Sequence, residues 1–352
     1  MANRVAMSGG AGGIRYVAAL VAVLGSLLIP AAATAESASA VVLMYHRFGE
    51  TDYPSTNIRI EQFEAHLAEL ASGAYHVVAL PEVTAALTSG RTLAERSVAV
   101  TVDDAYLSVY SQAWPRFQAA GMPFTLFVPS DAVDQGQANY MSWAQIREMA
   151  AAGVTIGHHS AAHGHMATWS RARVKADIER ANRRFREELG FVPKIFAHPY
   201  GEASRTSLTV VAEAGFEAAF GQHSGVAQAN LKSTYLPRFA LNEAYGGLSR
   251  LKLVASALPL PVSEITPADP LLGDNPPAFG FTLTRTLEGL SRLRCFPSHE
   301  GQPAHLEILG GRRVEVRPGK PFPPGRGRIN CTLPGQGGRW HWFGMQFYAP
   351  QR

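Results

Sequence analysis

The chain has almost no cysteine, little charge and no long hydrophobic run, and each shortage excludes something. Cys295 and Cys331 are the only cysteines in 352 residues, and both lie near the carboxyl terminus. None stands near residue 35, which rules out an amino terminus lipidated at a cleavage site there. In an oxidising compartment the pair is expected to form a disulfide, the alternative being two buried thiols. The longest apolar run, Tyr16 to Ile29, falls short of the roughly 20 residues a membrane span needs. Arg4 and Arg15 precede it, and Pro30 and Ala33-Thr34-Ala35 follow it. Residues 1–35 therefore read as a secretory signal, and the mature chain is expected to begin near Glu36, secreted or periplasmic. A retained membrane anchor is the alternative. Charged residues make up only 17% of the chain against 46% hydrophobic, a globular rather than a disordered balance. No internal repeat and no nucleic-acid-binding motif is present, so no nucleic-acid partner is expected.

The net charge of +4 is unevenly spread. Residues 276–352 hold 11 Lys/Arg against 4 Asp/Glu, and the rest of the chain holds 21 against 24. A basic carboxyl-terminal part suggests an anionic polymer or envelope surface as neighbour, or simply a solubilising face.

From residue 41 to about 240, short β-rich runs alternate with helical patterns. Strands are expected at Val41–Tyr45, His76–Leu80, Val98–Val102, Phe124–Val128, Val154–Gly157, Lys194–Ala197, Ala218–Gly221 and Tyr235–Phe239. Helices are expected near 60–72, 107–120, 143–152, 171–189 and 204–214. In the longest of these, Ser170 can cap the start and Gly190 the end, with Val174, Ile178, Ala181, Phe185 and Leu189 on one face. Such alternation implies parallel strands with crossover helices, and chemistry gathered at the strands' carboxyl ends. Residues 259–278, rich in proline, read as a stiff linker. Beyond them, alternating runs predict a small β-rich module at 279–352, with a helix only near 284–293. Trp340 and Trp342 share one face of a strand there, expected to be module core rather than an exposed sugar-stacking face.

The chemistry sits after the strands. Asp103-Asp104 ends one apolar run, and His159 and His163 follow another, four residues apart so that one helical turn would align their rings, although His158 and His165 beside them make other pairs possible. One carboxylate and two imidazoles make the three-ligand set of a catalytic zinc-type site, and the second carboxylate is left free to take a proton from water. These residues by themselves indicate a metal-assisted hydrolase. His46 and Pro199-Tyr200 also stand directly after expected strands.

Thr101-Val102-Asp103-Asp104-Ala105, His159-Ser160-x-x-His163 and Pro199-Tyr200-Gly201 resemble, in order and spacing, the three main motifs of the polysaccharide deacetylases, the NodB-homology carbohydrate esterases. The similarity covers roughly residues 41–240. Val42-Leu43-Met44-Tyr45-His46 resembles the branch acting on poly-N-acetylglucosamine. The resemblance implies a distorted (β/α) barrel over 36–258, an α/β fold to which the β-rich, sandwich-like module is appended. It implies a divalent ion on Asp104, His159 and His163, with zinc expected first and cobalt or nickel also suited. It implies Asp103 as catalytic base, the Tyr200 N–H as oxyanion donor and His46 as general acid, since no Leu-x-His motif follows Pro237. The expected substrate is an acetylated polysaccharide carrying N-acetylglucosamine. Peptidoglycan, chitin oligomers and O-acetylated polymers are the alternatives, as is a glycan-binding protein without turnover. Three departures stand out. Ala105 replaces the usual glycine, which is tolerable unless that position needs a positive φ. Ala197 stands where many members have an arginine, and Arg238 is expected to supply the guanidinium. His158 is expected to act as a supporting group behind the ligands.

Overall fold

Six short runs of β-branched and small apolar residues form the parallel staves of one curled sheet. Across it stand Ser39–Tyr45, Ser97–Val102, Thr125–Val128, Thr155–His158, Ile195–Ala197 and Ala218–Phe220, each neighbouring pair parallel. Every residue of Ser97–Val102 is buried, as a strand covered on both faces requires. Leu236 bridges Phe220 at one edge, and Phe239–Ala240 pairs with Leu43 and Met44 at the other, so one segment ties the sheet's two edges. The product is a distorted (β/α) barrel. The computed structural model describes residues 9–10 and 38–351; apart from Gly9 and Gly10, the expected signal lies outside the described residues.

Helices Ile60–Leu70, Trp143–Ala151, Arg171–Leu189 and Arg205–Glu213 form where the periodicity places them. Ser170 caps Arg171–Leu189 by accepting from the Arg173 N–H, and Gly190 ends it at φ 80°. Two strand expectations fail locally. The one at Tyr235–Phe239, interrupted by Pro237, shrinks to a bridge at Leu236 and the pair Phe239–Ala240. The strand expected at His76–Leu80 stops at Val77, because Pro81 belongs to the first turn of a helix, Leu80–Ser89. The helix expected near 107–120 forms without a break over residues 107–119, with a widened turn at Val109–Ala113 before Trp114–Ala119.

The proline-rich stretch is not a free linker. Leu258–Pro259 and Val262–Thr266 are strands of the carboxyl-terminal module, so the module begins near residue 258. Proline is compatible with this because both strands lie at sheet edges, where a missing N–H costs no ladder bond. One sheet orders Leu258–Pro259, Trp340–Ala349, Gly325–Pro334 and Arg294–Pro297; the other orders Val262–Thr266, Phe279–Leu283, Arg313–Arg317 and His305–Leu309. The helix expected near 284–293 is a single tight turn, Leu290–Arg292. Cys295 and Cys331 face each other across paired strands and are disulfide-bonded.

The face assignment of the last strand also needs correction. Phe343, Met345 and Phe347 fill the module core. The even-numbered residues therefore point the other way: Trp340 is exposed, and Trp342 packs its ring edge-on to Phe239 of the barrel at 5.2 Å. Alternation is a period of two, so a one-residue error of phase exchanges core for outer face. The arginines that could meet an anionic polymer are engaged within the chain. Arg312 Nε donates to the Leu283 carbonyl, Arg313 pairs with Glu315, Arg326 lies 3.8 Å from Glu202, and Arg328 Nε donates to Gln346.

Candidate active site

Four strand ends, those of Ser39–Tyr45, Ser97–Val102, Thr155–His158 and Ile195–Ala197, converge on one buried polar cluster. Val102 ends the fully buried strand Ser97–Val102, and the chain turns sharply at Asp104 (φ 77°) and Ala105 (φ 57°). That turn brings two successive carboxylates to the same cavity, although extended backbone would send them to opposite faces. Ala105 thus occupies the left-handed conformation for which glycine is suited, and the substitution is carried at a steric cost of about 1–2 kcal/mol.

The histidine pair reaches the same place by a loop and not by a helical turn. Ser160 (φ 65°) and His163 (φ 47°) fold residues 159–163 back, and the His163 N–H donates to Ser160 Oγ at 3.0 Å. Asp177, on the barrel-facing side of Arg171–Leu189, accepts from the N–H groups of Ala161 (2.9 Å) and Ala162 (3.0 Å). Sequence reasoning missed Asp177. The available signal was a carboxylate among Val174, Ile178 and Ala181, because a buried charge on an apolar face must have polar partners. His158 accepts from the Ser160 N–H at 3.0 Å and packs against Phe185 and Phe196, so it braces the loop from behind.

Asp104, His159 and His163 each offer one atom, all within 4.8 Å of one another. Asp104 Oδ1 lies 3.0 Å from His163 Nε2 and 3.3 Å from His159 Nε2. Nδ1 of His159 is engaged by the Ala197 carbonyl at 2.7 Å, which leaves a lone pair on Nε2. Asp104 Oδ1 and His159 Nε2 are buried without a hydrogen-bond partner. Two orphaned donor atoms aimed at one point, from one carboxylate and two imidazoles, fit a divalent cation.

Asp103 is fully buried beside this set. Arg238, also fully buried, clamps both its oxygens, with Nη1 to Oδ1 at 2.7 Å and Nη2 to Oδ2 at 2.8 Å. Arg238 is itself fixed by the Gly221 carbonyl (3.0 Å) and Thr101 Oγ1 (3.1 Å). Burial alone would raise the Asp103 carboxyl, but the guanidinium outweighs it and holds the group below its ordinary value. His46 Nε2 lies 3.9 Å from Asp103 Oδ2. Burial pulls its imidazole below the usual value, against the opposing pull of Asp104 and Asp103.

Tyr200 completes the cluster, its ring edge-on to His163 at 4.6 Å and stacked on His165 at 4.6 Å. Its φ of 58° is again left-handed. Seven non-glycine residues among those described have positive φ, and five of them, Asp104, Ala105, Ser160, His163 and Tyr200, stand in these loops. Strain held at one place by surrounding structure is the mark of a working site. Every residue singled out from the sequence, His46, Asp103, Asp104, His159, His163, Tyr200 and Arg238, is therefore in one neighbourhood.

The profile of the polysaccharide deacetylase family matches residues 90–219, which contain the aspartate pair, the histidine pair and Tyr200. The Bacillus subtilis protein YxkH, which carries the polysaccharide deacetylase name, is 23% identical over 214 residues, covering 61% of this chain and 75% of that one. The poly-β-1,6-N-acetyl-D-glucosamine N-deacetylase of Escherichia coli K12 is 22% identical over 54% of this chain, a match spanning only 35% of that longer protein. Among solved structures, IcaB from Ammonifex degensii superposes with a TM-score of 0.55 at 26% identity, covering 63% of this chain and 98% of that one. With the profile laid over the strand ends that carry the cluster, residues 90–219 are similar to the polysaccharide deacetylase family, as is the chain to the deacetylases just named.

Proposed function

We propose that this protein is a metal-dependent hydrolase that removes N-acetyl groups from N-acetylglucosamine units of an extracellular or cell-envelope polysaccharide, releasing acetate. The observation carrying the proposal is the pairing of two differently equipped carboxylates. Asp104 shares a three-ligand set with His159 and His163, while Asp103 is excluded from that set and locked by Arg238. One site then holds a cation and the other a base.

Asp104, His159 and His163 would hold a divalent ion, zinc by the donor set, which when bound would supply Lewis-acid polarisation and a lowered pKa for water. Asp103, ionised and fixed in direction by Arg238, takes a proton from the water that attacks the acetyl carbon. The Tyr200 N–H donates to the oxyanion that develops on the former carbonyl oxygen. His46 stands 3.9 Å from Asp103 Oδ2, close enough to receive that proton through a small movement and deliver it to the departing amine. The proton lost by water is the proton gained by nitrogen. A location outside the cytoplasm is part of the proposal, supported by the Cys295–Cys331 bond, which belongs in an oxidising compartment.

The test is acetate release from N-acetylglucosamine oligomers by the metal-loaded protein, with Asp103→Asn alongside. The expected result is release that stops on chelation and falls at least 100-fold in Asp103→Asn. Retained metal with no release from these oligomers would overturn the proposed substrate and direct attention to other acylated polymers or to glycan binding.

A further inference from the structure

We infer that the carboxyl-terminal β-module is a working part of the active site, and that Gln346 is a positioning residue for the Tyr200 loop. The kinetic arm of this inference rests on the deacetylase reading; the structural arm does not.

Three consecutive residues of that loop are each held from outside it. The Tyr200 carbonyl accepts from Gln346 Nε2 at 3.0 Å. The Gly201 carbonyl accepts from the Tyr235 hydroxyl at 2.7 Å. The Glu202 carboxylate, almost wholly buried, lies 3.8 Å from Arg326 Nε and 2.8 Å from His165 Nδ1. Gln346 and Arg326 belong to the module's paired strands Trp340–Ala349 and Gly325–Pro334, and Tyr235 packs in the module's core cluster.

Gln346 has the features of a purposeful support. It is 1% exposed, on the face of its strand that looks away from the module core. Its Oε1 accepts from Arg328 Nε at 3.0 Å, so the amide cannot flip, and its NH₂ must face the Tyr200 carbonyl. A buried glutamine gains nothing from hydrophobic burial and is stable there only with both ends satisfied. The strand is also seated closely on the barrel. A Cβ at Gly344, two residues earlier, would lie 2.2 Å from the Ser224 carbonyl oxygen. Tyr200 needs such support because its left-handed backbone is unfavourable for a residue with a side chain. Gln346 and Tyr235 hold the two successive carbonyls that fix the orientation of the Tyr200–Gly201 turn, and with it the direction of the Tyr200 N–H.

The experiment compares the full-length, metal-loaded protein with Gln346→Glu, which keeps the shape and the Arg328 partner but removes the donor to Tyr200. Val316→Ala, in the module core and remote from the loop, is the control for general loosening. Amide exchange is followed by mass spectrometry for Gly201 and Glu202, whose N–H groups donate to His198 and Pro199 within the turn. The expected result for Gln346→Glu is exchange at least tenfold faster there, kcat lowered about tenfold, and KM and metal content unchanged. Val316→Ala should lower Tm while leaving kcat and the loop's exchange as they are. Unchanged exchange in Gln346→Glu would overturn the support, whether or not the protein turns over this substrate. Faster exchange with unchanged kcat would overturn the catalytic consequence. An equal fall of kcat in Val316→Ala would overturn the specific role of Gln346. Failure of the unaltered protein to release acetate would count against the deacetylase reading and not against the support.

Discussion

Arg238 is where a single side chain decides most. Its guanidinium and the Asp103 carboxylate are both wholly buried, and each is tolerable only because the other is present. Replacing Arg238 by alanine strands a carboxylate in the barrel interior. Asp103 must then be protonated or hydrated, and as a protonated acid it can no longer accept from water. Arg238→Ala should lose about 3–5 kcal/mol of stability and at least 100-fold in acetate release. Its metal content should be unchanged, since Arg238 touches none of Asp104, His159 or His163. Urea unfolding and metal analysis on the same preparation check this; loss of metal together with activity would contradict it. In sequence the residue is visible only by elimination. Ala197 leaves the usual position without an arginine, and Arg238 lies in the last expected strand, Tyr235–Phe239. The bidentate geometry itself has no sequence signature, because it depends on how Phe239–Ala240 closes the sheet against Leu43.

At the scale of elements, the helix Arg171–Leu189 does more than cover the sheet. Its buried face carries Asp177, whose two oxygens hold successive N–H groups of the loop between His159 and His163. Arg180, one turn on, donates to Asp177 Oδ1 at 3.0 Å and so fixes the carboxylate. The loop has no regular structure of its own, and this carboxylate is one of the groups that keep Ala161 and Ala162, and so the two imidazoles, in place. Asp177→Ala should weaken metal affinity by about 10–100-fold while His159 and His163 remain, the range seen when outer supports of ligands are removed. Competition with a coloured chelator reads this directly, and unchanged affinity would show the loop to be rigid by itself. The periodicity shows the helix and both its ends plainly. It does not show Asp177, because an i, i+3, i+4 count of apolar positions treats the one carboxylate on that face as noise.

For the whole molecule, the barrel is far more legible than the module, and the reason is physical. Parallel staves are buried on both faces, so they read as continuous apolar runs with the catalytic groups directly after them. The module's strands have one face toward their own core and the other partly toward the barrel, and sequence alternation does not say which is which. That is why Trp340 and Trp342 look like core residues, and why prolines in edge strands look like a linker. The folded chain also buries polar groups whose titration makes the whole fold sensitive to acid. His66, His198 and His223 are all buried, His66 between Tyr45 and the Gly246 carbonyl and His198 against the Thr234 carbonyl. Burial lowers His66 and His198 to about 4 and His223 to about 3. The unfolded chain, with histidines near 6.5, binds protons between these values and the native state does not. Stability is therefore complete above about pH 6.5 and is lost progressively as pH falls toward 4, by up to about 1.4 kcal/mol per pH unit for each histidine. Denaturant unfolding at pH 7 and pH 5 should differ by several kcal/mol in favour of pH 7. Replacing His66, whose ring bridges the first strand and the segment before Leu248–Ala255, by glutamine should flatten the slope while lowering stability at pH 7. Equal stability at the two pH values would mean that these histidines are hydrated or charged in the folded protein.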